Sequence, residues 1–396
     1  MKTLVYPSLS LWALGAVLVA SAATVTQQGP LASPTTKFQV VAPKKSNIHA
    51  SPVLVQDDLY FSTLEPGCAL VKCNAYTGEV LWTYMRNSSA RCGLRTVPVY
   101  ANGLVHIGTD NNTFAALDAE TGQVVWSYQA RFNLCIDGNF YHPCEAYSTA
   151  LIVDGRRIQG SEDNTTRCFD AATGELLWNF TAPNMMNGSP ILDPSGGVLI
   201  GADDGHFYRL DIATGAYLGR YNHCGAMDTR PALDIASGRM YAGCFIKNDN
   251  PSGHDISALV AIDTVANSTL WTRTPGGVPI YNDYYGALFV AGFDGTAYAV
   301  NTSNNQVLWN VTFLPDTPKL FFGPFVLDQV RHRLYVGNVN GVVYALDVND
   351  GAVAWTFRTQ NAIAHQLGAT LSTDNNILYV GSYDGTLYAI DLTSVA

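Results

Sequence analysis

The sequence predicts an all-β chain, an eight-bladed β-propeller whose blades are four-stranded antiparallel sheets. Three observations predict it. An eleven-residue phrase recurs without gaps as KCNAYTGEVLW (72–82), ALDAETGQVVW (116–126), CFDAATGELLW (168–178), RLDIATGAYLG (209–219), AIDTVANSTLW (261–271), AVNTSNNQVLW (299–309) and ALDVNDGAVAW (345–355). Two-residue hairpin signals stand upstream, at Asp294-Gly295, Asn340-Gly341 and Asp384-Gly385, between alternating apolar segments. The period lies mostly between about 38 and 52 residues, and helix signals are essentially absent.

Each element has a local cause. The third residue of the phrase is always Asp or Asn, and the seventh always Gly or Asn. An Asx side chain accepts hydrogen bonds from N–H groups just ahead of it, and Gly or Asn tolerates positive φ, so the phrase is a turn between strands C and D. The Asp-Gly and Asn-Gly pairs close strands B and C. Short apolar runs such as GSPILD (188–193) and TRPALD (229–234) make strand A. The blades are expected at about 50–86, 95–131, 147–182, 188–222, 229–275, 277–314, 322–359 and 367–393. The eighth copy, AIDLTSVA, stops before its D strand, and TKFQVVAP (36–43) is expected to supply it. Phe38 then takes the place of the repeated Trp, and ring closure covers an edge that would otherwise be exposed.

The N-terminus, MKTLVYPSLSLWALGAVLVASAA, reads as a secretory signal peptide over 1–23, followed by a flexible linker over 24–35 and a single propeller domain over 36–396. Sequons at Asn87, Asn111, Asn164, Asn179, Asn267, Asn301 and Asn310, with a proline-flanked one at Asn187, point to an exported glycoprotein. The net charge of −10, with no Lys/Arg cluster, excludes nucleic acid and anionic membrane as expected partners. No membrane anchor is recognised, and a monomer is expected. The even count of eight cysteines suits an oxidising compartment. Cys135 and Cys144 bracket one insertion, Cys224 and Cys244 flank one blade edge, and Cys68 can reach Cys92. Cys73 and Cys168, within C strands, are expected as buried thiols.

The Asx-x-x-T-G-x-x-x-W turn with eight copies resembles the pyrroloquinoline quinone (PQQ) repeat of quinoprotein alcohol dehydrogenases and of the propeller lipoprotein of bacterial outer-membrane assembly. The resemblance implies that Trp82, Trp126, Trp178, Trp271, Trp309 and Trp355 dock between blades; blade 4 departs, with Gly219 at that place. It places function on the face shared by the D-to-A and B-to-C connections, where His49, Arg95, Glu145, Asp228, Arg230 and His365 are the polar candidates. In a dehydrogenase, Asp228 aligns with the catalytic base and Arg95 with a cofactor contact. Glu162 and Asp204 align with calcium ligands. Against this, all six Trp after the leader belong to the docking motif, Asn187 stands where the ring's floor would be, and Cys92 has no adjacent cysteine. The second cofactor arginine is missing from FIKNDNPSGHDIS (245–257), and no haem motif occurs. The expected function is therefore a secreted module that binds a small ligand or protein on its loop face and needs no cofactor. A PQQ- and calcium-dependent dehydrogenase of alcohols or sugars is the alternative. A cell-wall or matrix glycoprotein is a third reading.

Overall fold

The structure is a computed structural model that describes residues 33–86, 93–130, 134–137, 140–143, 146, 148–194, 196–222, 230–246, 256–313, 323–363 and 368–395. The expected leader lies outside these residues. Eight four-stranded antiparallel sheets follow one another along the chain and close into a ring. Blade 1 runs Val53–Val55, Asp58–Ser62, Ala69–Asn74 and Val80–Met85, in spatial order A, B, C, D. Blades 2 to 7 repeat this order over 99–129, 151–181, 191–222, 232–273, 277–312 and 326–358. A separate two-stranded ribbon, Leu134–Asp137 with Phe140–Pro143, lies between blades 2 and 3, inside the insertion bracketed by cysteines.

Blade 8 contributes only three strands from the C-terminal end, Thr370–Leu371, Ile377–Gly381 and Thr386–Asp391. Its fourth is Thr35–Val41, paired antiparallel with Thr386–Asp391. Phe38 sits opposite Ala389, two residues before Asp391, just as Trp126 sits opposite Ala116, two residues before Asp118. The register confirms that Phe38 stands in the Trp position.

Burial follows the layering. Strand B of blade 6, Ala287–Gly292, is buried at every residue because its sheet is covered on both faces. Strand D, Val307–Thr312, alternates because its outer face meets solvent. The C-to-D turns form as the residue types dictate. Asp118 Oδ1 accepts from the N–H of Glu120 and Thr121 and from the Thr121 hydroxyl, and Asp170 and Asp211 repeat the pattern. The seventh residue has positive φ in Gly78, Gly122, Gly174, Gly215, Asn267, Asn305 and Gly351.

That glycine does a second thing. A Cβ on Gly122 would stand 2.8 Å from the Trp82 ring, on Gly174 2.5 Å from Trp126, on Gly215 2.6 Å from Trp178, and on Gly351 2.5 Å from Trp309. Each indole lies flat on the next blade's turn, and only a residue without Cβ lets it approach. The four indole N–H groups donate to the carbonyl that follows the turn Asx of the next blade: Ala119, Ala171, Ile212 and Val348, at 2.8–3.0 Å. At three of the other four junctions a different donor reaches the equivalent oxygen. Tyr379 Oη donates to Ala75 O at 2.6 Å where Phe38 has no N–H, and Tyr221 Oη to Thr264 O at 3.0 Å where blade 4 has Gly219. At the next junction Arg239 Nη1 donates to Thr302 O at 2.7 Å, and Trp271 is half-buried against Tyr241. Trp355 is buried against Tyr335.

Cys73 and Cys168 are buried free thiols, and burial pushes both up to about 12, so they are inert near neutral pH. Cys68 and Cys244 are disulfide-bonded. Their expected partners, Cys92 and Cys224, lie outside the described residues, as do Cys144 and the side chain of Cys135.

Candidate functional site

The face carrying the D-to-A and B-to-C connections is assembled by one repeated backbone bond. In the B-to-C turns, the N–H groups of Leu64, Asp110, Asp203, Phe293 and Tyr383 donate to Asn47, Gly93, Met185, Gly276 and Ala362 in the D-to-A connections. The bond brings the two connections of a blade together and places these five residues at equivalent points around the ring. By the same alignment Glu162 belongs to blade 3 and Val339 to blade 7. Blades 2, 3 and 4 thus present carboxylates at this position, and blades 1, 6, 7 and 8 present apolar or aromatic side chains.

Three of these residues meet a side chain from a D-to-A connection. Asp110 Oδ1 accepts from Arg95 Nε at 3.1 Å, with Arg95 30% and Asp110 6% exposed. Burial raises the Asp110 carboxyl above the usual carboxylate range, although Arg95 opposes the shift. Asp203 Oδ2 accepts from Asn187 Nδ2 at 3.2 Å. The His49 ring, buried, stacks on Tyr383 with centroids 6.0 Å apart. Burial raises the Tyr383 hydroxyl, and the charge of Arg95 acts on it in the opposite sense. Arg95 therefore stands near both Asp110 of blade 2 and Tyr383 of blade 8.

The other sequence candidates fall in different places. Glu162 is half-buried in its B-to-C turn. Asp204 closes its own turn, accepting from His206 N at 3.2 Å and Tyr208 Oη at 2.5 Å. Asp384 makes the same two kinds of bond, with Thr386 N and Tyr388 Oη, so Asp204 holds a repeated turn position, and Asp203 is the residue aligned with Glu162. Nothing in a GADDG string distinguishes the two; the backbone bond from Asp203 to Met185 does. Arg230 is exposed, and Asp228, Glu145 and His365 lie outside the described residues. Tyr281 lines an open cleft of about 410 Å³ near Asp283, at the A-to-B end of its blade, on the opposite face from Arg95.

The comparisons with known proteins follow from this architecture. Residues 20–139, 143–244 and 257–394 match the family model described as outer membrane protein assembly factor BamB. The chain belongs to this PQQ-repeat propeller family. The outer membrane protein assembly factor BamB of Shewanella oneidensis is 22% identical over 284 residues, covering 69% of this chain and 65% of its own length. The dehydrogenase subunit of the quinone alcohol dehydrogenase of Komagataeibacter europaeus is 31% identical over 155 residues, 35% of this chain and 20% of its own length. The chain thus spans a fifth of that subunit and less than two thirds of the Shewanella protein. Among solved structures, BamB from Moraxella catarrhalis superposes with a TM-score of 0.68 at 20% identity, covering 91% of this chain and 98% of that one.

A quinone with its divalent ion, as the dehydrogenase branch implies, needs a carboxylate cluster and a flat floor. Among the described residues no three His, Cys, Asp or Glu side chains gather closely enough to hold an ion. Asn187, which the resemblance aligns with the ring's floor, is 8% exposed, its amide bound to Asp203. Four indoles that could serve as a floor are hydrogen-bonded between blades.

Proposed function

We propose that this protein is a binding module that recognises a small ligand or a protein on its D-to-A face, without catalysis. The observation that carries the reading is the fate of the tryptophans and of Asn187. The planar aromatic surface that a quinone needs is built into the blade junctions instead, and an amide hydrogen-bonded to Asp203 stands in its place. The mixed rim offers both halves of a recognition surface: buried Asp110 with Arg95 and Asp203 with Asn187 on one side, Tyr383 with His49 and Phe293 on the other. The protein is proposed to be exported and glycosylated, on its leader-like N-terminus and sequons. Asn179 and Asn310, exposed on D strands, and Asn267, exposed in its C-to-D turn, are accessible acceptors, whereas Asn187 is buried. The pairings Cys68–Cys92, Cys224–Cys244 and Cys135–Cys144 are proposed to staple loops on this face.

A second reading, a PQQ- and calcium-dependent dehydrogenase, is favoured by the likeness to the Komagataeibacter subunit and needs Asp228, Arg95 and Glu162. Incubation of the purified protein with PQQ and calcium separates the two. No retention of micromolar PQQ through gel filtration is expected. Retention with dye reduction by primary alcohols would overturn the binding-module reading.

A further inference from the structure

We propose that the junction between blades 2 and 3 holds a small monovalent anion, chloride in ordinary solution, on the in-plane N–H groups of Arg157 beside His106. Arg157, in strand Arg156–Gly160, is completely buried. Its side chain crosses to blade 2, where Nη2 donates to Ile107 O at 2.8 Å, and it also donates to Gln159 Oε1 at 2.5 Å. The rings of Phe114, Trp126 and Phe169 surround the guanidinium at 5.2, 5.5 and 5.9 Å. Aromatic faces stabilise a cation but accept none of its in-plane hydrogen bonds. Nε and Nη1 are left without an acceptor.

The contrast with other cations in the ring is direct. Lys72 has Asp58 at 2.8 Å, Arg167 has Asp163 at 2.6 Å, Arg209 has Asp193 at 2.6 Å and Arg331 has Asp328 at 3.1 Å. Arg157 is buried more deeply than any of these and has no carboxylate among the described residues. Burial alone acts on it, drawing it down to about 9, so it stays charged at neutral pH. An uncompensated buried charge is costly, so such groups are normally paired. His106, 1% exposed, lies against the same Trp126 ring at 5.9 Å, and neither of its nitrogens has a partner. Burial and the Arg157 charge pull His106 down to about 3, so it is neutral and brings one N–H donor and one acceptor nitrogen, fewer acceptors than the free N–H groups of Arg157 need. The junction has donors in surplus and one net positive charge. Water supplies acceptors without charge; a halide supplies both. The three rings crowd the guanidinium within 6 Å of its carbon, so the ligand is small and sits where the free N–H groups point.

Crystals grown in bromide, with data collected at the bromine edge, test the site directly. An anomalous peak within hydrogen-bonding reach of Arg157 Nε or Nη1 is expected; no peak there, with water or nothing in its place, overturns the proposal. In solution, the wild-type thermal midpoint should rise with the logarithm of chloride concentration at ionic strength held constant with gluconate, as single-site linkage requires. Arg157→Met should abolish that slope. A wild type indifferent to the exchange, or a variant that keeps the slope, overturns it. The bromide experiment uses the wild-type protein and stands even if Arg157→Met fails to fold.

Discussion

Gly174→Ala separates the two roles assigned to the turn glycine, and Gly103→Ala is its control. Both glycines sit in the left-handed region, at φ +76° and +79°. An alanine there costs about 1–2 kcal/mol in either case. A Cβ at Gly103 meets nothing within 4 Å, so the cost stops there. At Gly174 the same atom would lie 2.5 Å from Trp126 Cδ2 and 2.6 Å from Cε3. That indole cannot retreat freely, being buried and anchored through its N–H to Ala171 O at 2.9 Å. Overpacking of this kind adds about 1–3 kcal/mol. Gly174→Ala should therefore lose about 2–5 kcal/mol in all, summing the two costs, against about 1–2 kcal/mol for Gly103→Ala. Urea unfolding followed by tryptophan fluorescence reads the difference as a lower midpoint at unchanged slope. Equal losses would refute the docking role and leave φ as the only constraint.

Three further outcomes follow from the same structure. Tyr379→Phe should cost about 1–3 kcal/mol by leaving Ala75 O without its donor, and adding Phe38→Trp should recover part of it by restoring an indole N–H; thermal unfolding of the pair and both singles checks this. The hydrogen bonds of the C-to-D turns hold Asp118, Asp170 and Asp211 below the usual value of 3.8. A depressed folded-state pKa gives stability that is present above the unfolded value and lost as pH falls through the folded one. The triple variant Asp118→Asn, Asp170→Asn, Asp211→Asn should lose less thermal midpoint than wild type between pH 5 and pH 2. Expressed through a secretory pathway, the protein should lose mass on deglycosylation at Asn179 and Asn310 but not at Asn187, as glycopeptide mass spectrometry would show.

What was legible in the sequence was what a local constraint writes repeatedly. Asn267 and Asn305 standing in for Gly already implied positive φ, and the offset of Phe38 implied its register against Ala389. The substitutes at the junctions were not legible. Tyr379, Tyr221 and Arg239 do the work of an indole from outside the phrase, and only geometry shows that their donors end on the same carbonyl. Asp203 and Asp204 illustrate a similar limit: adjacent acids in a hairpin are equivalent as letters, and one backbone hydrogen bond distinguishes rim from turn. Arg157 reads as an ordinary strand residue, since its burial arises where two blades meet.

The seam at blade 8 has a consequence for the order in which the molecule is completed. Thr35 N is hydrogen-bonded to Ser394 Oγ, 359 positions along the chain. A ribosome delivers Thr35–Val41 long before its partner Thr386–Asp391, so this strand waits unpaired while the seven blades between them are made. Loop-closure entropy makes such a pairing late and slow. Until it forms, blade 8 is a three-stranded sheet with Thr386–Asp391 as an open edge, the state in which copies of the chain can join edge to edge. Once it forms, both ends of the propeller are held in one sheet, and opening the ring requires peeling Thr35–Val41 from Thr386–Asp391.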